Sequence, residues 1–245
     1  MPDPTNSQAW NRYSYVGNRP INFNDPSGHY PICQPGVRCP PLGDQRDVTQ
    51  WLVVASVDAA ESSEIKAIRI LNESTNSNSG IAPKAMAGAL FYSLVHDGAK
   101  YDVKDKMQEE FGIDSPVKIG DNWYEYSTAG NIFYGFYGTA AGWTEDELYV
   151  GAGAAQIADN KLRGQDKLGP CEAPYYCDTV EDHYAVEFGI YMYNEYYEND
   201  GSLTIADLKN AMDKFEHSDK LAIVKSPKNF QPRYNNYAAS KFYQK

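Results

Sequence analysis

The chain has 245 residues, which is enough for one large domain and an additional segment. Its formal net charge of −11 excludes a general affinity for phosphate backbones, so nucleic-acid binding would need a local basic patch. No run of about 18 apolar residues occurs, and the N-terminus has no basic start followed by an apolar core. We therefore expect neither a transmembrane helix nor a signal peptide.

Residues 1–48 are rich in Pro, Gly and Asn, which predicts irregular structure. After them, apolar residues recur with helical spacing in residues 47–60, 62–74, 82–98, 101–112, 144–160, 178–197 and 204–216. Asp47 is the expected N-cap of the first helix. Gly98 and Gly112 are expected to end the third and fourth helices, because glycine readily adopts the left-handed backbone found there.

The segment between residues 121 and 143 differs from these helices. It carries four glycines among aromatic residues, at positions 130, 135, 138 and 142. Glycine allows sharp turns and close backbone contacts, so we expect a loop rich in glycine and aromatic residues. With little signal for strands elsewhere, the sequence predicts a mainly α fold: a single compact helical domain with this loop, after an irregular N-terminal segment.

The following segment begins with Thr144 and Glu147, which have the spacing of a capping box. Its stretch of glycine and alanine, "GAGAAQ", is expected to end the helix at Gln156 and to pack centrally, with Gln156 partly buried. Asp178 and Asp182 lead a later helix. Asp178 has the position of a carboxylate that complements the helix dipole, so Asp182 is the better site candidate.

The four cysteines form two close pairs, Cys33 with Cys39 and Cys171 with Cys177, each enclosing five residues. Zinc sites usually have shorter spacings, and the enclosed Pro and Gly residues suit small disulfide loops. Disulfides would favour an oxidising compartment. Four unrelated reduced thiols remain the alternative.

The segment "NRYSYVGNRPINFNDPSG", preceded by Asp3-Pro4, resembles the end of the RHS repeat-associated core over about the first 29 residues. In that family the core closes a large shell around a variable C-terminal toxin, and two motif aspartates act in self-cleavage. The resemblance implies that Asp3 and Asp25 are this pair in an intact parent protein. The alternative is that both aspartates are turn formers here.

A second resemblance covers roughly residues 48–198. The stretches "WLVVASVDAAESSEIKAIRILN", "LFYSLVHDGAKYDVKDK" and "GNIFYGFYGTAAGWTEDELYVGAGAAQ" are similar to the polymorphic toxin type 44 family. Counterparts of its motifs are residues 101–104, 130–135, 151–156 and 178–182. The resemblance implies an antibacterial toxin.

These observations divide the chain into four parts. We expect an RHS segment at residues 1–29, a linker rich in Pro and Gly at 30–48, a helical toxin domain at 49–217, and a basic, aromatic tail at 218–245.

Matching residues of the toxin family are the candidate site. Asp102 is the expected proton-transfer carboxylate, Lys104 and Asn131 would stabilise developing charge, and Asp182 would be the second acid or its orienter. The substrate-binding candidates are Tyr134, Tyr137 and Gln156. Local alternatives remain: Asp102 and Lys104 as a solvated pair, and Asn131 as a cap or turn residue.

Carboxylates and tyrosines are the usual equipment for cleaving glycans. We therefore expect a hydrolase that acts on peptidoglycan, delivered into the periplasm of a target cell, without a cofactor or a metal ion. The alternative is a metal-independent RNase that acts in the cytoplasm, because the tail interleaves Lys and Arg with Phe and Tyr. The expected partners are an immunity protein, the polymeric substrate and the RHS shell.

Overall fold

The computed structural model describes residues 47–76, 81–96, 98–104, 107, 116–163 and 168–224, with the short strands β1 (Phe23–Asn24) and β2 (Ile32–Cys33). The chain divides into two compact units, Met1–Gln45 with Asn229–Lys245, and Arg46–Lys228. In the first unit, β1 pairs antiparallel with β2. The second unit is mainly helical, as the sequence predicts. None of the described helices has both the length and the apolar character to cross a membrane.

The second unit begins with three helices, α1 (Thr49–Glu61), α2 (Ser63–Asn76) and α3 (Ile81–Val95). The predicted N-cap of α1 is wrong by one residue, because Val48 occupies that position. Asp47 still contributes, since its carboxylate accepts the backbone N–H of Thr49 at 3.1 Å.

The apolar face predicted for α2 packs into the core, where Ile65 and Ile68 are fully buried. After α3, Gly98 adopts a left-handed backbone with φ of 75°, which fits its expected role in ending this helical segment.

A short hairpin follows, formed by β3 (Val117–Ile119) and β4 (Asn122–Tyr124). The strands pair antiparallel, with Val117 opposite Tyr124. Two single bridges extend the pairing, one from Asp47 to Lys118 and one from Tyr124 to Ile223. The hairpin therefore ties both ends of the helical unit together.

The expected loop rich in glycine and aromatic residues is wrong, because these residues form the helix α4 (Tyr126–Ala140). Most of this helix is buried. Four of its ring contacts join Phe91, Tyr101, Phe133 and Tyr137 into an aromatic core, including Phe133 to Tyr137 at 4.7 Å between centroids. Tertiary packing thus outweighs the low helix propensity of glycine here.

Two glycines explain why this helix is central. A Cβ at Gly135 would collide with the carbonyl oxygen of Val186, and a Cβ at Gly189 would collide with that of Ile132. Both collisions are between α4 and the later helix α6 (Val180–Met192). The backbones of α4 and α6 therefore touch at a crossing that only glycine permits.

Helix α5 (Glu145–Arg163) lies between them in sequence and begins with the predicted capping box. Thr144 N–H donates to the Glu147 carboxylate at 3.1 Å, and Glu147 N–H donates to the Thr144 hydroxyl at 3.4 Å. The expected end of this helix at Gln156 is wrong, since α5 continues for two further turns to Arg163.

Helix α6 continues directly into a π-helix (Tyr193–Tyr197), and α7 (Ile205–Lys214) and a short 3₁₀ turn (Ser218–Lys220) close the described part. Thr204 and Asp207 form a capping box at the start of α7. Leu208 and Ala211 place the apolar face of α7 in the core.

Candidate functional site

The segment before α6 carries a buried carboxyl group. Asp178 does not lead the helix as expected, because Thr179 is the N-cap and its side chain accepts the N–H of Asp182. Asp178 is only 4% exposed, and its Oδ1 accepts the N–H of Thr179 at 2.9 Å. Burial raises the pKa of Asp178 to about 7, with a further rise from the charge of Asp182. At neutral pH this carboxyl can therefore both hold and release a proton.

A disulfide loop holds this carboxyl in place. The predicted bridge between Cys171 and Cys177 is confirmed. Cys177 N–H donates to the carbonyl of Pro170 at 2.8 Å, and Asp178 N–H donates to the carbonyl of Tyr175 at 2.9 Å. Asp178 is therefore fixed because it directly follows a bridged cysteine and because its N–H bonds back into the bridged loop.

Asp182 supplies a second carboxyl group near Asp178. It lies in the first turn of α6 and is partly exposed. The hydroxyl of Ser127, at the start of α4, donates to Asp182 Oδ1 at 3.2 Å. The contact between Ser127 and Asp182 places the second carboxyl group at the edge where α4 and α6 meet.

Lys104 supplies a positive charge to the same place. Its stem lies over Gly130 of α4, where an added Cβ would be 2.8 Å from Lys104 Cγ. The charge of Lys104 lowers the pKa of Asp178 and so opposes the effect of burial. Lys104 and Asp182 are the charges that act most on the buried acid.

Asn131 lies on the same stripe of α4 as Ser127, one turn further along. It is 7% exposed, and its Nδ2 is buried with no hydrogen-bond partner among the described residues. An unpaired buried amide is costly, so such a group calls for a structural or functional explanation. Asn131 is a helix residue rather than part of a loop, so its alternative role as a cap or turn residue is wrong.

Tyr134 continues this stripe by a further turn. Its hydroxyl donates to the carbonyl of Leu148 at 3.3 Å, and a Cβ at Gly151 would lie 2.6 Å from the same hydroxyl. Burial raises the pKa of Tyr134 far above its usual value, and the charge of Asp178 raises it further. Tyr134 is therefore a neutral side chain near the acid. The candidate site consists of Lys104, Ser127, Asn131, Tyr134, Asp178 and Asp182.

Three other candidates have local structural contacts of their own. The carboxylate of Asp102 accepts the N–H of Gly98 at 2.8 Å and so stabilises the turn after α3. Tyr137 is 2% exposed within the aromatic core. Gln156 is in the middle of α5, where its amide donates to Asn160 Oδ1 at 3.4 Å.

Several predictions lie outside the described residues. These are the RHS pair Asp3 and Asp25, the bridge from Cys33 to Cys39, the predicted helix at residues 101–112 for its larger part, and most of the basic tail. Within the described part of the chain, no group of three or more His, Cys, Asp or Glu residues is placed to hold a metal ion.

Asp178 is not among the candidates from the sequence, because its position before a helix has an adequate local explanation. Its burial involves the segment just before the disulfide loop, where a Cβ at Gly169 would collide with the carbonyl of Asp178. The feature of the sequence that points to Asp178 is its position directly after a cysteine of a close pair, in a segment rich in tyrosine.

The model of the bacterial toxin 44 family matches residues 90–195, somewhat less than half of the chain. The matched segment includes Lys104, Asn131, Asp178 and Asp182. This match supports a bacterial toxin domain, as the resemblance in the sequence implied. No curated protein and no solved structure matches the chain. The resemblance of residues 1–29 to the RHS core stays a prediction.

Proposed function

We propose that this domain is an antibacterial toxin that hydrolyses envelope glycan, with Asp178 as the general acid. The observation that carries the proposal is the pair of neighbouring carboxyl groups in unlike surroundings. Asp178 is buried, with its pKa raised to about 7, whereas Asp182 is partly exposed and bonded by Ser127. Glycosidases use such pairs, because one acid must be protonated while the other is ionised.

In this mechanism Asp178 donates its proton to the oxygen of the leaving sugar as the glycosidic bond breaks. Asp182 accepts a proton from the attacking water or attacks the sugar itself. The transition state resembles an oxocarbenium ion and is positively charged, so a cation beside the sugar would not help. Lys104 instead acts on Asp178, because its charge stabilises the carboxylate that remains after proton donation.

Asn131 is suited to bind the substrate. Its amide N–H groups have no partner in the described part of the chain and can donate to a sugar hydroxyl or to the carbonyl of an N-acetyl group. The pairing would satisfy a buried donor only when the substrate is present, which favours a substrate that carries a matching acceptor.

The test directs the full chain to either the periplasm or the cytoplasm of sensitive bacteria that lack an immunity protein. We expect lysis and release of peptidoglycan fragments only from the periplasm. Asp178→Asn should lower toxicity by about a hundredfold or more, as expected for loss of a general acid. Asp58→Asn, at an exposed position of α1, is the matched control and should remain toxic.

Two outcomes would overturn the proposal. Growth arrest with RNA loss from the cytoplasm would favour the RNase that the basic tail suggests. Full toxicity of a folded Asp178→Asn protein would exclude Asp178 from the chemistry and make Asp182 the next carboxylate to test.

A further inference from the structure

A continuous row of aromatic rings runs beside helix α6. Each ring contacts the next, with centroids 6.3, 4.7, 5.8, 5.6 and 6.1 Å apart. We call this row the aromatic strip, and its members in order of contact are Tyr175, Tyr184, His217, Phe215, Tyr191 and Tyr196.

The strip has a surface and a support. Its four tyrosines and His217 are all partly exposed, whereas Phe215 is buried. Beneath them, Phe188 is fully buried and packs against Phe215 at 5.2 Å. Tyr184 and Tyr191 are seven residues apart on α6, so they share one helix face roughly 10 Å apart. The rings are therefore held in place with part of each tyrosine open to a ligand.

Charge around the strip is predominantly acidic. The pKa of Tyr184 is raised to about 12, first by its hydrogen bond with Tyr175 and by burial, and then by the charges of Glu187 and Asp219. Burial and Glu195 raise the pKa of Tyr191, with Lys214 acting in the opposite direction.

An acidic aromatic surface repels a phosphate backbone. Neutral polymers are not repelled by this charge, and sugar rings present flat apolar faces that stack on tyrosine. The charge therefore selects an uncharged, ring-containing polymer over a nucleic acid.

The strip begins in the segment that carries Asp178. Its first member, Tyr175, accepts the backbone N–H of Asp178 through its carbonyl at 2.9 Å. Tyr184 and Tyr191 lie about 200° and 180° around α6 from Asp182, so the strip occupies the face of this helix away from α4. We infer that the aromatic strip binds a neutral glycan chain at a surface separate from the cleaved bond, an inference that rests on the proposed function.

The experiment measures how the full chain binds insoluble peptidoglycan in a sedimentation assay. Every protein carries Asp178→Asn, so that binding is measured without cleavage. The double substitution Tyr184→Ala with Tyr191→Ala should weaken binding by about tenfold or more, because two stacking rings are lost. Tyr92→Ala is the matched control, since Tyr92 is 68% exposed on α3, away from the strip, and should leave binding unchanged.

If the double variant does not fold, the single changes Tyr184→Leu and Tyr191→Leu keep apolar volume and should each weaken binding severalfold. Unchanged binding by folded strip variants would overturn the inference. Preference of the Asp178→Asn protein for single-stranded RNA over peptidoglycan would overturn it as well. Binding through the strip without any glycan release by the wild type would instead overturn only the proposed cleavage.

Discussion

Helix α4 has two faces that obey different rules. On the face toward α6, Gly135 lies against backbone and Ile132 and Phe136 are fully buried, so that face is dry. On the neighbouring face, Ser127 bonds a carboxylate, and the buried amide of Asn131 has no partner among the residues that the structure describes. One helix thus contributes both a close backbone crossing and part of a polar cluster.

The difference shows how an unfavourable site can persist in a folded domain. A buried acid with a raised pKa and an unpaired amide each destabilise the folded state. Such groups persist when the surrounding structure holds them in place, as is also true of strained residues at functional sites. The crossing of α4 and α6 does this here, because it fixes Ser127 and Asp182 relative to each other. If the two faces of α4 differ in this way, they must respond differently to the same substitution.

The largest effect is expected at the crossing. Gly135→Ala places a Cβ against the carbonyl of Val186, so the helices must separate. We expect the free energy of unfolding to fall by about 3 kcal/mol in chemical denaturation, as for an overpacked core. Gly88→Ala is the control on α3, where a Cβ would lie 3.9 Å from the Trp143 ring. That change should stabilise by about 0.5–1 kcal/mol. Equal stabilities would show that the crossing is not tight.

On the site face, Asp178→Asn should stabilise the protein in a pH-dependent way. The folded-state pKa of Asp178 is about 7, above its ordinary value of 3.8, so the protonated acid is the favoured form in the fold. Its contribution to stability is fully present below pH 3.8 and is lost as the pH rises through 7. Asparagine cannot ionise and avoids this loss.

The gain from Asp178→Asn should therefore be small at pH 4 and roughly 2 kcal/mol at pH 8, where partial hydration reduces the full linkage value. Thermal or urea unfolding at both pH values provides the measurement. Asp58→Asn is again the control and should show no such trend. A variant that is less stable than the wild type at pH 8 would contradict the raised pKa.

Opening the disulfide loop should affect both stability and activity. Replacing Cys171 and Cys177 by Ser opens a short loop, so we expect a loss of about 1–2 kcal/mol. Toxicity should fall by about tenfold, because Asp178 loses the loop that positions it. The pair Cys33→Ser with Cys39→Ser is the matched control and should leave the site unaffected. Full activity in the Cys171 and Cys177 variant would mean that the loop only stabilises the fold.

Sequence reasoning succeeded where local patterns decide the structure. The buried face of α2 and the capping box at Thr144 and Glu147 follow from spacing alone. It failed for α4, because glycine disfavours an isolated helix and the reason for its presence is contact with α6, distant in sequence. It did not single out Asp178, because the burial of this residue depends on tertiary packing that no local motif reveals.

The smallest effect on stability, and the sharpest test of the comparison, is expected from Gly130→Ala. The change repeats Gly135→Ala five residues earlier on the same helix. Here the added Cβ meets the flexible stem of Lys104 at 2.8 Å rather than backbone. The lysine can move, so the free energy of unfolding should change by less than about 1 kcal/mol.

Displacing Lys104 moves its charge away from Asp178 and so weakens the effect that lowers the pKa of this acid. The pKa of Asp178 should therefore rise further above 7. The basic limb of the pH profile of peptidoglycan cleavage should therefore shift to higher pH, provided that Asp178 is the acid. Lys104→Met removes the charge and should shift the limb in the same direction, whereas Gly88→Ala should not. An unshifted pH profile in both site variants would show that Lys104 does not act on the buried acid. A loss of stability in Gly130→Ala as large as that in Gly135→Ala would show that the two faces of α4 do not differ.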